Sequence, residues 1–197
     1  LDIETRLQSR EKELATYKLP KPSEQEVSDV KEFQSKLEVL IWEELQFNID
    51  EMRNLVEERE GRFTDGQRDA YNTILEAVKA NTPLCLFLDA RGGCGKTYTL
   101  NAVLAAVRIL EPEGCVALAM ATTGIAANLL LLGRTFHSRM KAPLTPVEDS
   151  MLAIPGQGTL TKLLKRARIL LIDEATMLHR YNLEAMDRTL RDILDDP

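Results

Sequence analysis

A short apolar run that empties into a glycine-rich turn and then a helix is the feature that most limits what this chain folds into. Leu84, Cys85, Leu86, Phe87 and Leu88 have the length and apolarity of a buried strand. Asp89, Ala90, Arg91, Gly92, Gly93, Cys94, Gly95, Lys96 and Thr97 follow, and a helix is expected from about Gly95 to Leu110. The turn matches the phosphate-loop pattern G-x-x-x-x-G-K-[ST] except at its first position, where Ala90 stands for glycine. Small residues let successive backbone N–H groups turn inward around a β-phosphate, and the next helix offers its positive N-terminal end. Lys96 then places a point charge on the β- and γ-phosphates, and the Thr97 hydroxyl is suited to Mg²⁺. A Cβ at Ala90 is tolerated where the backbone keeps a negative φ. The plainer alternative, a strand-to-helix turn with a surface lysine and a capping threonine, does not call for the strand before and the helix after.

The remaining elements set that turn in an alternating pattern. A strand is expected at Cys115 to Met120, a helix at Gly124 to Leu132, a strand at Arg168 to Ile172 and a helix at about Leu178 to Leu194. Such alternation implies parallel pairing in a three-layer α/β sheet. Residues 1–60 read differently. A short helix with Ile3, Leu7, Leu14 and Tyr17 runs into a proline-containing linker at residues 19–22. Ser23 and Glu26 then form a capping box, and apolar residues from Val27 to Leu55 recur at helical spacing, with a break expected near Asn48 and an end at Gly61. Thr64 and Gln67 form a second capping box ahead of a helix carrying Ala70, Ile74, Leu75 and Val78. The division is thus a helical N-terminal segment, 1–60, and an α/β domain, 61–197. Residues 141–158 hold three prolines and little periodicity, which marks a long loop.

The apolar run Ile169, Leu170, Leu171 and Ile172 delivers Asp173 and Glu174 at the C-terminal end of a strand, where open α/β sheets place their ligands. Two carboxylates there suit two tasks: Asp173 holds Mg²⁺ together with Thr97, and Glu174 polarises an attacking water as general base. Solvation of a strand end is the competing reading for an Asp-Glu pair met alone.

Charge bears on the partner. The net charge is −6, but residues 63–197 carry 15 acids and 15 bases, so the excess acid belongs to the first 62 residues and the α/β part is free to present a basic face. Cys85, Cys94 and Cys115 are an odd number behind a charged start, which argues for a reducing, intracellular setting. Residues 115–133, the longest apolar stretch, are interrupted by Thr122, Thr123, Gly124 and Asn128 and so lack the ~18 uncharged apolar residues in a row that a membrane span needs.

Five blocks in order resemble one family. They are Gly92 to Thr97; Ala121 to Ala127; Gly133, Arg134, Thr135, Phe136, His137, Ser138 and Arg139; Leu171 to Arg180; and Glu184 to Asp192. Together they are similar to the petite-integration-frequency (Pif) helicases of superfamily 1, especially Helitron-type members. The resemblance implies a RecA-like P-loop NTPase fold preceded by the helical segment. The activity it implies is an ATP-driven motor that moves 5′ to 3′ on single-stranded DNA and opens duplex junctions, with ATP and Mg²⁺ as cofactors. Gln67 then resembles the glutamine that reads adenine, and Gln67, Gly92, Gly93, Cys94, Gly95, Lys96, Thr97 and Tyr98 make up the nucleotide set. Lys96 and Glu174 are the catalytic pair, and Thr97 and Asp173 the metal ligands. Thr122, Thr123 and Gly124 resemble a segment that touches the DNA backbone, and Arg134 and His137 a second DNA-proximal motif. The later motifs, with their arginines and a second RecA-like domain, fall outside these 197 residues, so slow hydrolysis and no unwinding are expected of the chain alone. Repair, recombination, telomere maintenance and transposition, in nucleus or mitochondrion, are the settings the resemblance suggests.

Each of these residues also has a plainer reading. Gln67 closes a capping box, Thr122 to Gly124 cap a helix, His137 is an ordinary surface histidine, and the basic cluster Lys162, Lys165, Arg166 and Arg168, which could track phosphates, is equally a solvated helix face. Cys94 lies where a helix N-terminus favours its thiolate. A non-catalytic, transposon-derived interaction module and a P-loop kinase remain the alternative functions. A GTPase would carry an Asn-Lys-x-Asp motif, which this sequence lacks.

Overall fold

The computed structural model describes residues 39–110, 116–156 and 158–194. The short first helix, the linker at 19–22, the Ser23 capping box and Cys115 lie outside the described residues. The chain divides into two units, residues 1–42 and 43–197, and everything that follows concerns the second, apart from the first residues of one helix.

That unit begins in helix α1, Val39–Leu45, and the expected break arrives as Asn48. The Asn48 side-chain oxygen accepts from the N–H groups of Asp50 and Glu51 at 2.9 and 3.2 Å, satisfying two of the free donors that open α2, Ile49–Glu60. Gly61 ends that helix as expected, and α3, Asp65–Lys79, follows from Thr64. Helix α4, Lys96–Arg108, is buried along almost its whole second half because α2 and α3 lie against one side and the sheet against the other.

The strands are β1, Val116–Ala121, β2, Arg134–Thr135, and β3, Ala167–Asp173. Among the described residues they form one parallel sheet in the order β2-β1-β3, with Ala121 opposite both Thr135 and Asp173. Every residue of β1 is buried, so both of its faces are covered, as a layered parallel sheet requires. Alternation separates the faces. Ala117, Ala119 and Ala121 join the core cluster that holds Ala102, Val103, Ala105 and Ala106 of α4, and these small side chains let helix and sheet approach closely. Leu118 and Met120 point the other way and are buried as fully.

Three short helices, α5, Gly124–Leu129, α6, Phe136–Met140, and α7, Thr159–Arg166, and the longer α8, Arg180–Leu194, complete the unit, with a 3-10 turn at Ala175–Met177. Helix α7 carries the basic cluster on a solvated face: it buries Leu160, Leu163 and Leu164 and leaves Lys162, Lys165 and Arg166 exposed. Apart from residues 134–140 and 159–166, the helices and strands from α2 onward fall close to where periodicity puts them. No helix among the described residues is long and apolar enough to cross a membrane.

One expectation fails. Residues 84–88 join no ladder, and Leu84, Leu86 and Phe87 are 48, 45 and 68 % exposed. An apolar run signals strand through its side chains, but a strand exists only where a neighbour takes its backbone hydrogen bonds. Only residues outside the run, Asn81 before it and Thr97 after it, are hydrogen-bonded to opposite ends of β3 among the bonds described. Arg168 Nη1 donates to Asn81 Oδ1 at 2.6 Å, and Thr97 Oγ1 donates to Asp173 Oδ2 at 3.1 Å.

Candidate functional site

The glycine-rich turn has the backbone that phosphate binding demands. Gly93 and Gly95 have φ of 76° and 78°, in the left-handed region that favours glycine. Among the described residues Ala90 is not one of the four non-glycine residues with positive φ, which are Asn81, Leu132, Lys141 and Glu174, so its Cβ is accommodated. A Cβ at Gly95 would also lie 2.6 Å from Gln67 Nε2, so that side chain would have to shift. Gly95 caps α4, whose first intrahelical bond runs from Thr99 N–H to Gly95 C=O at 3.0 Å. The amides of Lys96, Thr97 and Tyr98 precede that bond, as an anion site at a helix start requires.

Lys96 folds back over this turn, its Nζ donating to the carbonyls of Ala90 at 2.6 Å and Arg91 at 3.3 Å. Those weak neutral acceptors are what phosphate oxygens would replace. Gln67 closes its capping box and also reaches the loop. Its side-chain oxygen accepts from Thr64 N–H at 3.0 Å, closing the capping box, and its Nε2 donates to Cys94 C=O at 3.0 Å, tying α3 to the loop. The Tyr98 ring packs elsewhere, edge-on to Phe63 at 6.0 Å and under the Arg59 guanidinium at 4.5 Å, while Arg59 Nη1 donates to Tyr98 C=O at 2.6 Å. Tyr98 thus brings its amide, and not its ring, to the helix start.

The strand end meets the loop at Asp173. This carboxylate is 6 % exposed; Oδ2 accepts from Thr97 Oγ1 at 3.1 Å and Oδ1 from Glu174 N–H at 2.9 Å. A hydroxyl and an ordered carboxylate side by side form a pair of hard oxygen donors, a donor set that fits Mg²⁺. Glu174 is exposed and holds φ 53°, ψ 37°, a left-handed conformation that a residue with a Cβ keeps only under constraint. Its carbonyl accepts from Met177 N–H at 3.0 Å and from Thr122 Oγ1 at 2.8 Å.

The other expected residues gather at the same, C-terminal edge of the sheet. Thr122 continues β1, its N–H donating to Asp173 C=O at 3.3 Å. Thr123 caps α5, its hydroxyl accepting from Ala126 N–H at 3.2 Å, and Gly124 is the exposed first residue of that helix. Arg134 opens β2 beside β1 and is ion-paired to Glu43 at 2.6 Å. His137 lies in α6, 3.4 Å from Asn182 of α8. The structure therefore joins Thr97, Asp173, Glu174 and Thr122 in one hydrogen-bonded chain, and links Arg134 and His137 to other partners.

Sequence reading missed a charged cluster behind this edge. Glu44 and Arg139 form an ion pair with both side chains only 3 % exposed, and Arg139 Nη2 also donates to Leu132 C=O at 2.8 Å. Arg108 is 1 % exposed and donates to the carbonyls of Ala117 and Leu131 at 2.9 and 3.3 Å. Burial lowers the Arg108 pKa to about 10, against the attraction of Glu44 and together with the repulsion of Arg139. Burial lowers Arg139 as well, and Glu44 opposes it. The sequence signal was a Glu43-Glu44 doublet in an otherwise apolar helix, but its partners lie more than 90 residues away.

Comparison with known proteins agrees with this geometry. The PIF1-like helicase family profile matches residues 62–197. The chain belongs to the PIF1-like helicase family. Its RecA-like P-loop fold follows from that membership and from the parallel sheet and loop described above. The ATP-dependent DNA helicase PIF4 of Trypanosoma brucei brucei is 32 % identical over 110 residues, covering 54 % of this chain and 13 % of that protein. The ATP-dependent DNA helicase Pif1 of a Psychrobacter species is 33 % identical over 123 residues, covering 60 % of this chain and 18 % of that protein. The chain thus spans less than a fifth of either relative's length.

Proposed function

We propose that these residues are the ATP-binding part of an ATP-dependent DNA helicase that moves 5′ to 3′ on single-stranded DNA and separates duplexes, completed by a second RecA-like domain. The observation that carries this reading is the Thr97–Asp173 hydrogen bond, which brings the phosphate loop and a strand-end carboxylate together across 76 residues. The amides of Gly93 to Tyr98 and the Lys96 ammonium bind the phosphates, and Gln67 stands beside the loop where the adenine edge is read. Thr97 and Asp173 hold Mg²⁺, which when bound supplies positive charge to the β- and γ-phosphate oxygens. Glu174 accepts the proton of the water that attacks the γ-phosphorus as the bond to the β–γ bridging oxygen breaks, leaving ADP and phosphate. Single-stranded DNA lies along the sheet edge, with Thr122, Thr123 and Gly124 on its phosphates and Arg134 and His137 further along the same edge.

The test is single-turnover hydrolysis of Mg·ATP by this chain with and without an oligothymidylate. Slow hydrolysis that the oligonucleotide accelerates is expected. A rate indifferent to the strand, together with transfer of phosphate to a small acceptor, would establish the P-loop kinase reading instead.

A further inference from the structure

Thr122 and Thr123 are adjacent, and both belong to the segment proposed to meet DNA, yet their hydroxyls face opposite tasks. Thr123 accepts from Ala126 N–H and starts a helix. Thr122 donates, and its acceptor is the carbonyl of Glu174, 52 residues away and at the tip of the neighbouring strand. A second bond, Thr122 N–H to Asp173 C=O at 3.3 Å, extends the β1–β3 ladder one step past the Ala121–Asp173 pair, so the segment is locked to the carbonyls of Asp173 and Glu174, on either side of the Glu174 Cα.

What is locked is a strained turn. Glu174 holds a left-handed backbone, in which its Cα–Cβ bond leaves the chain in a direction quite unlike that of a right-handed or extended residue. Its side chain is exposed, and none of the described hydrogen bonds or ion pairs engages its carboxylate, so the backbone turn sets where that carboxylate begins. Two donors fix the turn from the carbonyl side. Met177 N–H belongs to the same 3-10 turn and travels with Glu174; Thr122 Oγ1 comes from another strand and refers Glu174 to the sheet.

We infer that Thr122 is a positioning residue for Glu174: its hydroxyl holds the Glu174 carbonyl and thereby the direction in which the general base points. This inference rests on the proposed role of Glu174, and it adds a physical link between the DNA-proximal segment and the hydrolytic centre. A strand that shifts the backbone at 122–124 shifts the Thr122 hydroxyl, and with it the turn at Glu174. Ligand at one place then alters rate at the other through a single hydrogen bond between neighbouring strands.

The experiment compares T122V, which keeps the branched shape and removes the donor, with T122S, which keeps the donor. In single-turnover hydrolysis by the 197-residue chain, T122V is expected to lower the rate about 10- to 100-fold both with and without oligothymidylate, as displacement of a base does. Mg·ATP affinity is expected to stay within about twofold, and T122S to recover most of the rate. Weaker oligonucleotide binding with an unchanged DNA-free rate would overturn the inference, because Thr122 would then be a DNA contact and nothing more.

A second measurement does not depend on turnover. The Cα and Cβ chemical shifts of Glu174 report its left-handed backbone. They are expected to be retained in T122S and lost in T122V, and unchanged shifts in T122V would overturn the inference. Absence of hydrolysis by the parent chain would count against the proposed function, while these shifts would still decide the role of Thr122.

Discussion

Replacing Glu44 by glutamine tests the charged cluster most sharply, because the shape is kept and one charge is removed. Glu44 and Arg139 are each only 3 % exposed, and Arg108, at 1 % exposure, feels the same carboxylate. In E44Q both guanidiniums stay buried without their counter-charge. Breaking a buried pair by removing one partner costs about 3–5 kcal/mol, and since the amide oxygen still accepts one bond from Arg139, the lower figure of about 3 kcal/mol applies. For a chain of this size that is a fall in Tm of roughly 6–12 °C. The assay is urea unfolding followed by circular dichroism, where the midpoint drops and the slope is unchanged. Exchanging both partners for apolar residues in the double variant E44L/R139M removes two opposite charges together and is expected to restore most of the loss. A change within about 0.5 kcal/mol for E44Q would refute the reasoning, since it would mean that water reaches the guanidiniums and that Glu44 is not their counter-charge.

Two further outcomes follow from single contacts. A Cβ on Gly133 would press on the Ala127 carbonyl oxygen and lie 2.8 Å from Leu130 Cβ, so G133A is expected to cost about 1–3 kcal/mol by the same unfolding assay, and a neutral effect would mean that the turn before β2 yields freely. Glu43 occupies the Arg134 guanidinium at 2.6 Å on a partly exposed surface, so E43Q is expected to tighten oligothymidylate binding about two- to fivefold at low salt in fluorescence anisotropy; unchanged or weaker binding would place Arg134 away from the strand.

The parts of this unit that could be read in advance are those whose cause is local. Asn48, Gly61, Thr64 and Gln67 act on helix ends within three residues of themselves, and the phosphate loop declares its turn through Gly93 and Gly95. The run before Asp173 announces a strand, and its four apolar side chains are buried or half-buried beside β1. Residues 84–88 carry a similar run yet find no ladder partner, which no property of the run itself reveals. Strand β2 has two residues and α6 five, too few for a period to register.

The site divides along the same line. That Lys96, Thr97, Asp173 and Glu174 belong together is legible from residue type and position at strand ends. The hydroxyl of Thr122 on Glu174, the clasp of Gln67 on Cys94 and the Glu44–Arg139 pair are not, because each joins residues 27 to 95 positions apart and depends on a register that only the folded sheet defines. Tyr98 shows the converse. Its place in the motif is right for its amide, while its ring answers to Phe63 and Arg59, which the motif does not mention.

The measurement that bears most directly on the whole account is calorimetric titration of Mg·ATP into this chain and into K96A. Saturable binding by the parent that K96A weakens by at least about tenfold is expected, since the Lys96 ammonium is the charge aimed across the loop. Equal binding by both proteins, or none by either, would contradict the claim that this turn is a nucleotide site.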